Sequence, residues 1–136
     1  MQNTKVFFSY SFTNREKHNH DYLVIKEFLE KHDYSCYCFV FDYTEPVSDN
    51  HLMMDKVFEK IDEAEIYIAD PLFNSFGIGV ESGYAKSRNK KIIYLNKIGS
   101  SQEDTLEGIA DHTIRYTNTE DIIDWLSNNI NKLTTK

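Results

Sequence analysis

Glu81 is the residue of this sequence best placed to do chemistry. It is the only acid between Asn74 and Ala85, in a run that opens on Asn74 and Ser75 and carries Gly77 and Gly79. The two glycines let a backbone approach a ligand without a Cβ in the way. Hydroxyls and free N–H groups at a helix start can hold an anionic phosphate, so Ser75, with Ser11 from an earlier turn, is a candidate phosphate contact. Asp70 ends the apolar run just before, and with Glu81 it makes a possible carboxylate pair. A well-placed carboxylate can attack an electrophilic sugar carbon, and water or another acceptor then resolves the glycosyl intermediate. An adjacent anion also stabilises the oxocarbenium-like state through which a ribosyl C1′–N bond breaks. Each residue has a plainer reading as well. Glu81 could complement a helix dipole from the first turn, and Asp70 and the serines could be ordinary turn residues.

Other chemistries find no support. There is no Walker loop, no G-x-G-x-x-G after the first strand and no readable Ser-His-Asp arrangement. Cys36 and Cys38 lie two apart on an expected strand with no second pair to complete a zinc site, so they read as buried free thiols. The five histidines show no ligand spacing on a single helix, so no metal site is expected. A net charge of −7 argues against nucleic acid, which needs clustered Lys and Arg. The one basic grouping, Lys86-Ser87-Arg88 with Lys90-Lys91, reads as a solvated helix end. No apolar run approaches the ~20 residues of a membrane span, and MQNTK has no signal-peptide profile, so a cytoplasmic protein is expected.

The elements that must position Glu81 form a strand–loop–helix–strand unit from Ala64 to Leu95. Residues 65–69 read as a strand buried on both faces, helical spacing begins near Ile78, and Lys91–Leu95 is the next strand. On this reading Glu81 falls in the helix's first turn. Upstream, the pattern predicts a strand over Thr4–Tyr10 ending in Ser9-Tyr10-Ser11, and a surface loop over 12–19. A helix over about 20–32, capped by Asn19, follows, then a strand over Ser35–Phe41 and a long turn over 42–50. The second helix is expected over about 51–64, with Leu52, Met53, Val57, Phe58 and Ile61 buried. Downstream come a short helix over 103–110, a strand over His112–Tyr116 and a last helix capped by Thr119. Five strands alternating with helices over 136 residues indicate one domain, residues 1–136. The fold class is α/β, a three-layer doubly wound five-stranded parallel sheet of flavodoxin-like order 2-1-3-4-5. Its switch point, between strands one and three, gathers Ser9-Tyr10-Ser11 and residues 70–79 at one crevice.

The run Ser75-Phe76-Gly77-Ile78-Gly79-Val80-Glu81-Ser82-Gly83-Tyr84-Ala85, followed by Asn89-Lys90-Lys91-Ile92-Ile93, resembles the signature of the nucleoside 2-deoxyribosyltransferase family. It is most similar to the branch of 2′-deoxynucleoside 5′-monophosphate N-glycosidases. The resemblance implies that Glu81 is the nucleophile and that Ser75 and Ser11 bind phosphate, which favours hydrolysis of a nucleotide over base exchange. It implies no cofactor, a small-molecule nucleotide or nucleoside as ligand, and a homodimer or higher homo-oligomer with a partner residue near Ser100 to Asp104 completing the site. Tyr10 stands where the family's first turn carries glycine, Phe7 where it carries tyrosine, and Asp55 near its second-helix aspartate. Val6-Phe7-Phe8-Ser9-Tyr10-Ser11 is similar to the opening strand of Toll/interleukin-receptor-like domains, some of which cleave NAD with a glutamate in the place of Glu81. A non-catalytic nucleotide-binding or interaction domain is the third reading.

The sequence therefore predicts an N-glycosidic-bond-cleaving enzyme acting on a (deoxy)nucleoside 5′-monophosphate. Glu81 and Asp70 are its expected catalytic residues, Asp70 orienting the sugar or passing a proton to the leaving base. Ser9, Tyr10, Ser11, Asn74, Ser75, Gly77, Gly79 and Asp55 are the expected substrate contacts, with Tyr10 or Phe7 packing on the sugar or base.

Overall fold

The computed structural model describes residues 3–46, 49–73, 75–101 and 103–134. Its strands are β1 (Thr4–Ser9), β2 (Tyr34–Cys38), β3 (Ile66–Ala69), β4 (Lys91–Lys97) and β5 (His112–Tyr116). They form one parallel sheet of order β2-β1-β3-β4-β5, the expected order. The helices are α1 (Arg15–Glu30), α2 (Phe39–Asp42), α3 (Asn50–Glu63), α4 (Phe76–Ser87), α5 (Asp104–Ile109) and α6 (Thr119–Asn129), with a short 3-10 turn at Ile130–Lys132. No helix among the described residues is long and apolar enough to cross a membrane.

The pleat divides the core in two. Val6, Phe8, Ile66, Ile68, Ile93 and Leu95 face α1 and α6, while Phe7, Tyr67, Ala69, Ile92 and Tyr94 face α3, α4 and α5. All four residues of β3 are buried, as a strand covered by helices on both faces requires. Aromatic rings fill much of both layers: Phe7 stacks on Tyr67 at 5.9 Å, and Phe8 meets Tyr22 edge-on at 5.2 Å.

Several boundaries differ from expectation for identifiable reasons. Helix α1 begins at Arg15, not near residue 20, and Asn14 rather than Asn19 precedes it. Its buried stripe is His18, Tyr22, Ile25 and Leu29, so a histidine opens an otherwise apolar period. Strand β2 stops at Cys38, three residues early, because the chain folds into the single turn of α2. The Asp42 carboxylate holds that turn by accepting from Cys38 N at 2.8 Å and from Tyr22 Oη. In α3, capped by Asp49, Val57 and Ile61 are buried as expected, whereas Leu52 is exposed. Cys38 is buried and Cys36 half-buried, both as free thiols. The last helix takes its cap from Asn118 in a capping box with Asp121, not from Thr119.

Candidate active site

The connections leaving β1 and β3 run to opposite faces of the sheet, α1 to one and α4 to the other. The strand ends between them frame the crevice where open α/β sheets take ligands. One more backbone hydrogen bond ties these ends together beyond the strands: Asp70 N donates to Ser9 O at 3.1 Å.

On the α4 side, Ser75 is the helix cap, with extended backbone and its Oγ accepting from Ile78 N at 3.4 Å. The helix therefore starts two residues before the expected point, and Glu81 lies in its second turn rather than its first. A role as a first-turn dipole partner no longer applies. Instead Glu81 Oε1 accepts from Ser9 Oγ at 2.9 Å, across the gap from β1. Burial pushes this carboxyl up to about 7, and the Ser9 hydrogen bond alone pulls the other way. A Cβ on Gly77 would stand 3.5 Å from Ser75 Oγ and 3.7 Å from Glu81 Oε2, so the missing side chain keeps the approach to both atoms open. Gly79 has open space around it, so a close approach does not explain its glycine. Beneath lies Tyr67, whose hydroxyl meets Ser82 Oγ at 2.9 Å. Burial raises this phenol, and the charge of Glu81 pushes the same way, which places Tyr67 in the carboxylate's electrostatic neighbourhood.

On the α1 side the expected carboxylate pair is not met. Asp70 N lies on the ladder next to Ser9, but successive side chains of a strand point to opposite faces, and Asp70 turns toward α1 and α6. It is 2% exposed, accepts from Leu72 N at 3.0 Å and takes a short hydrogen bond from Tyr116 Oη. Burial lifts its pKa to about 6 against the pull of Tyr116, and Glu81 is not among the charges that move it. Tyr10 shares this face, packed against Phe8, His18, Tyr22 and Phe41. His18 also meets Phe73, a residue of the β3–α4 loop, edge-on at 5.2 Å, so the two lips of the crevice touch there.

The remaining expected contacts divide in the same way. Ser9 and Ser11 are buried at the mouth, and Ser75 and Gly77 stand beside Glu81. Phe7 is 1% exposed between Tyr67 and Tyr37, leaving no surface for a sugar or base. Asp55 is solvent-exposed on α3 and takes no part in the hydrogen bonds around Glu81. Asn74 lies outside the described residues. Sequence reasoning passed over Tyr67, Ser82 and His18. Only the i, i+4, i+7, i+11 spacing of His18 with Tyr22, Ile25 and Leu29 could have flagged the histidine.

Among the described residues no group of three or more His, Cys, Asp or Glu is placed to hold a metal ion. A surface cavity of about 720 Å³ opens at the far edge of the sheet, among Thr4, Glu65, Lys91 and His112. These residues stand at the starts of strands, away from the ends that carry Glu81's partners. The basic grouping nearby is tied to α3, with Arg88 Nε donating to Asp62 Oδ1 at 2.9 Å and Lys90 Nζ to Asp62 O at 2.9 Å.

No family model and no curated protein sequence matches this chain. Solved structures do. A CMP N-glycosidase from Clostridium botulinum, BcmB, is 20% identical with a TM-score of 0.70, covering 92% of this chain and 99% of its own. A 2-deoxyribosyltransferase from Bacillus psychrosaccharolyticus is 13% identical with a TM-score of 0.68, covering 88% of this chain and 90% of its own. The 2-desoxiribosyltransferase of Leishmania mexicana is 14% identical with a TM-score of 0.63, covering 92% and 97%. The chain thus has the fold of enzymes that include a CMP N-glycosidase and 2-deoxyribosyltransferases.

Proposed function

We propose that the protein is a hydrolase that cleaves the N-glycosidic bond of a (deoxy)nucleoside 5′-monophosphate, with Glu81 as nucleophile. The observation that carries this reading is the Glu81 carboxyl itself. It is half-buried at the switch-point crevice, aimed by Ser9 Oγ at 2.9 Å, with its second oxygen on the side where Gly77 carries no side chain. The shared fold with a CMP N-glycosidase supports the reaction class.

In the first step the Glu81 carboxylate attacks C1′. The C1′–N bond breaks with its electron pair going to the base, which takes up a proton from water. In the second step water attacks C1′, frees the carboxylate and yields the sugar 5-phosphate. Ser9 fixes the rotamer of the nucleophile. Among the described residues Ser75 Oγ only accepts, from Ile78 N, so its proton can be donated to phosphate. The first N–H groups of α4 have no partner inside the helix and can add to that hold. Asp70, fastened by Tyr116 and Leu72 N, is assigned to holding the β3–α4 lip rather than to moving a proton. The reading includes a homodimer or larger homo-oligomer acting in the cytoplasm.

Incubation with ribo- and deoxyribonucleoside monophosphates, nucleosides and NAD, followed by chromatography, should release free base from a monophosphate. Glu81→Gln should slow that release by roughly 10³-fold or more while ligand binding survives. Near-normal release by this variant would remove the mechanism. Transfer of the sugar to an added second base would favour the base-exchange reading; two of the structural relatives are named 2-deoxyribosyltransferases.

A further inference from the structure

Among the described residues two buried side-chain polar atoms lack a hydrogen-bond partner, Tyr10 Oη and His18 Nε2, and they belong to neighbouring rings 4.6 Å apart. A buried donor or acceptor left unpaired destabilises the fold that holds it, so native structures keep few of them, and each calls for an explanation. This fold is able to satisfy such groups. The hydroxyls of Tyr22, Tyr34, Tyr67 and Tyr116 all have partners, in Asp42, Ile130 O, Ser82 and Asp70.

The two exceptions are side by side and at the mouth of the crevice. Tyr10 directly follows the last residue of β1, and His18 is in the first turn of α1. Phe73 from the opposite lip lies against the His18 ring, and Lys17 Nζ sits over that phenyl ring, 4.9 Å from its centroid. The His18 ring therefore lies against an aromatic side chain of the opposite lip, with Tyr10 packed on the same imidazole.

We propose that Tyr10 Oη and His18 Nε2 form a specificity subsite for the base of the ligand, filled when Phe73 moves aside and stacks on that base. The inference rests on the nucleotide reading above and adds what selects the base. Its chemistry follows from the pair. Burial pushes His18 down to about 4 and raises Tyr10 well above the usual phenol, so both are uncharged at neutral pH. A neutral imidazole nitrogen beside a phenol can offer one donor and one acceptor, the imidazole's part set by its tautomer, and gives no cationic hold. Such a pair fits an uncharged planar heterocycle with a donor and an acceptor on one edge, as nucleobases have, and it does not fit a phosphate. The nearby charges, Asp21 and Lys97 around His18 and Asp70 and Asp21 around Tyr10, are of both signs and leave the pair without a strong preference for an ion.

The test is ligand binding by the full chain, followed as thermal stabilisation and by titration. The probes are cytosine, uracil, adenine and guanine, each free and as its 5′-monophosphate. The proteins are wild type, Tyr10→Phe, His18→Leu and His18→Gln. Tyr10→Phe deletes the unpaired oxygen, so without ligand it should melt at or above wild type. Its affinity for the preferred base should fall about tenfold, the loss expected when one buried hydrogen bond goes. His18→Leu should lose affinity likewise, and His18→Gln should recover part of it. Unchanged affinity in Tyr10→Phe and His18→Leu would overturn the proposal and leave the cleft occupied by a structural water only. So would the absence of any base-dependent binding. The two readings fail separately. Base release that survives Glu81→Gln removes the nucleophile but not a base affinity that depends on Tyr10. Unchanged affinity in Tyr10→Phe with base release still abolished by Glu81→Gln removes the subsite alone.

Discussion

The two sides of the crevice spend their polar groups differently. On the α4 side no buried side-chain polar atom of the described residues near Glu81 lacks a partner: Ser9 pairs with Glu81, Tyr67 with Ser82. On the α1 side Asp70 is doubly held, yet Tyr10 Oη and His18 Nε2 beside it are not. A fully satisfied network holds one geometry, which suits a reacting group that must be aimed. An unsatisfied one waits for a partner the fold does not supply. The same contrast appears in the two acids. Asp70 accepts two hydrogen bonds and is raised to about 6, whereas Glu81 accepts one and is raised to about 7. Burial is the main cause in both, and the ordinary values, 3.8 for Asp and 4.5 for Glu, already differ in the same direction.

The sharpest way to break this comparison is through stability against pH. Glu81 has a higher pKa folded, about 7, than the 4.5 of an ordinary glutamate. The folded state therefore holds more protons than the unfolded chain between those values, and stability falls as pH rises through that window. Glu81→Gln removes the dependence. Thermal denaturation should show the variant more stable than wild type at pH 8, by on the order of 2–3 kcal/mol, and level with it near pH 4. Equal stability at pH 8 would mean that the carboxyl is solvated. A smaller effect should follow Ser9→Ala, which takes away the one donor that aims and acidifies Glu81. Initial rates should fall about tenfold, and the acid limb of the kcat/KM profile should move above its expected position near pH 7. The least effect on chemistry is expected from Tyr116→Phe on the other side. It should destabilise the fold by about 1–2 kcal/mol at pH 8, read by urea denaturation, while base release stays near wild type. A large loss of rate there would return Asp70 to the reacting centre.

Much of this architecture was legible beforehand. The all-apolar β3, the glycine-bearing run after it and the buried β4 together announce a parallel crossover, and β5 occupies the expected residues His112–Tyr116. What stayed hidden was hidden for physical reasons. Helix α1 starts early because a polar side chain, His18, takes the first core position of its stripe. The run Ser35–Phe41 is rich in β-formers to its end, and only a distant contact, Tyr22 to Asp42, explains the turn that cuts it short. At the site, closeness in sequence misled most. Ser9, Tyr10 and Asp70 converge on one mouth, but the pleat sends Ser9 to one face and the other two to the opposite one. Residue type located the mouth, whereas strand parity decides which wall each group belongs to.

The hydrogen bond from Asp70 N to Ser9 O is a final rung beyond the assigned strands. It clasps the two central strands at the very point where their side chains diverge. Widening of the entrance is therefore confined to the loops on either side, with the sheet as a fixed jamb. If the proposed subsite takes a base, Phe73 is the leaf of the door that gives way, while Ser9 stays fixed to the frame.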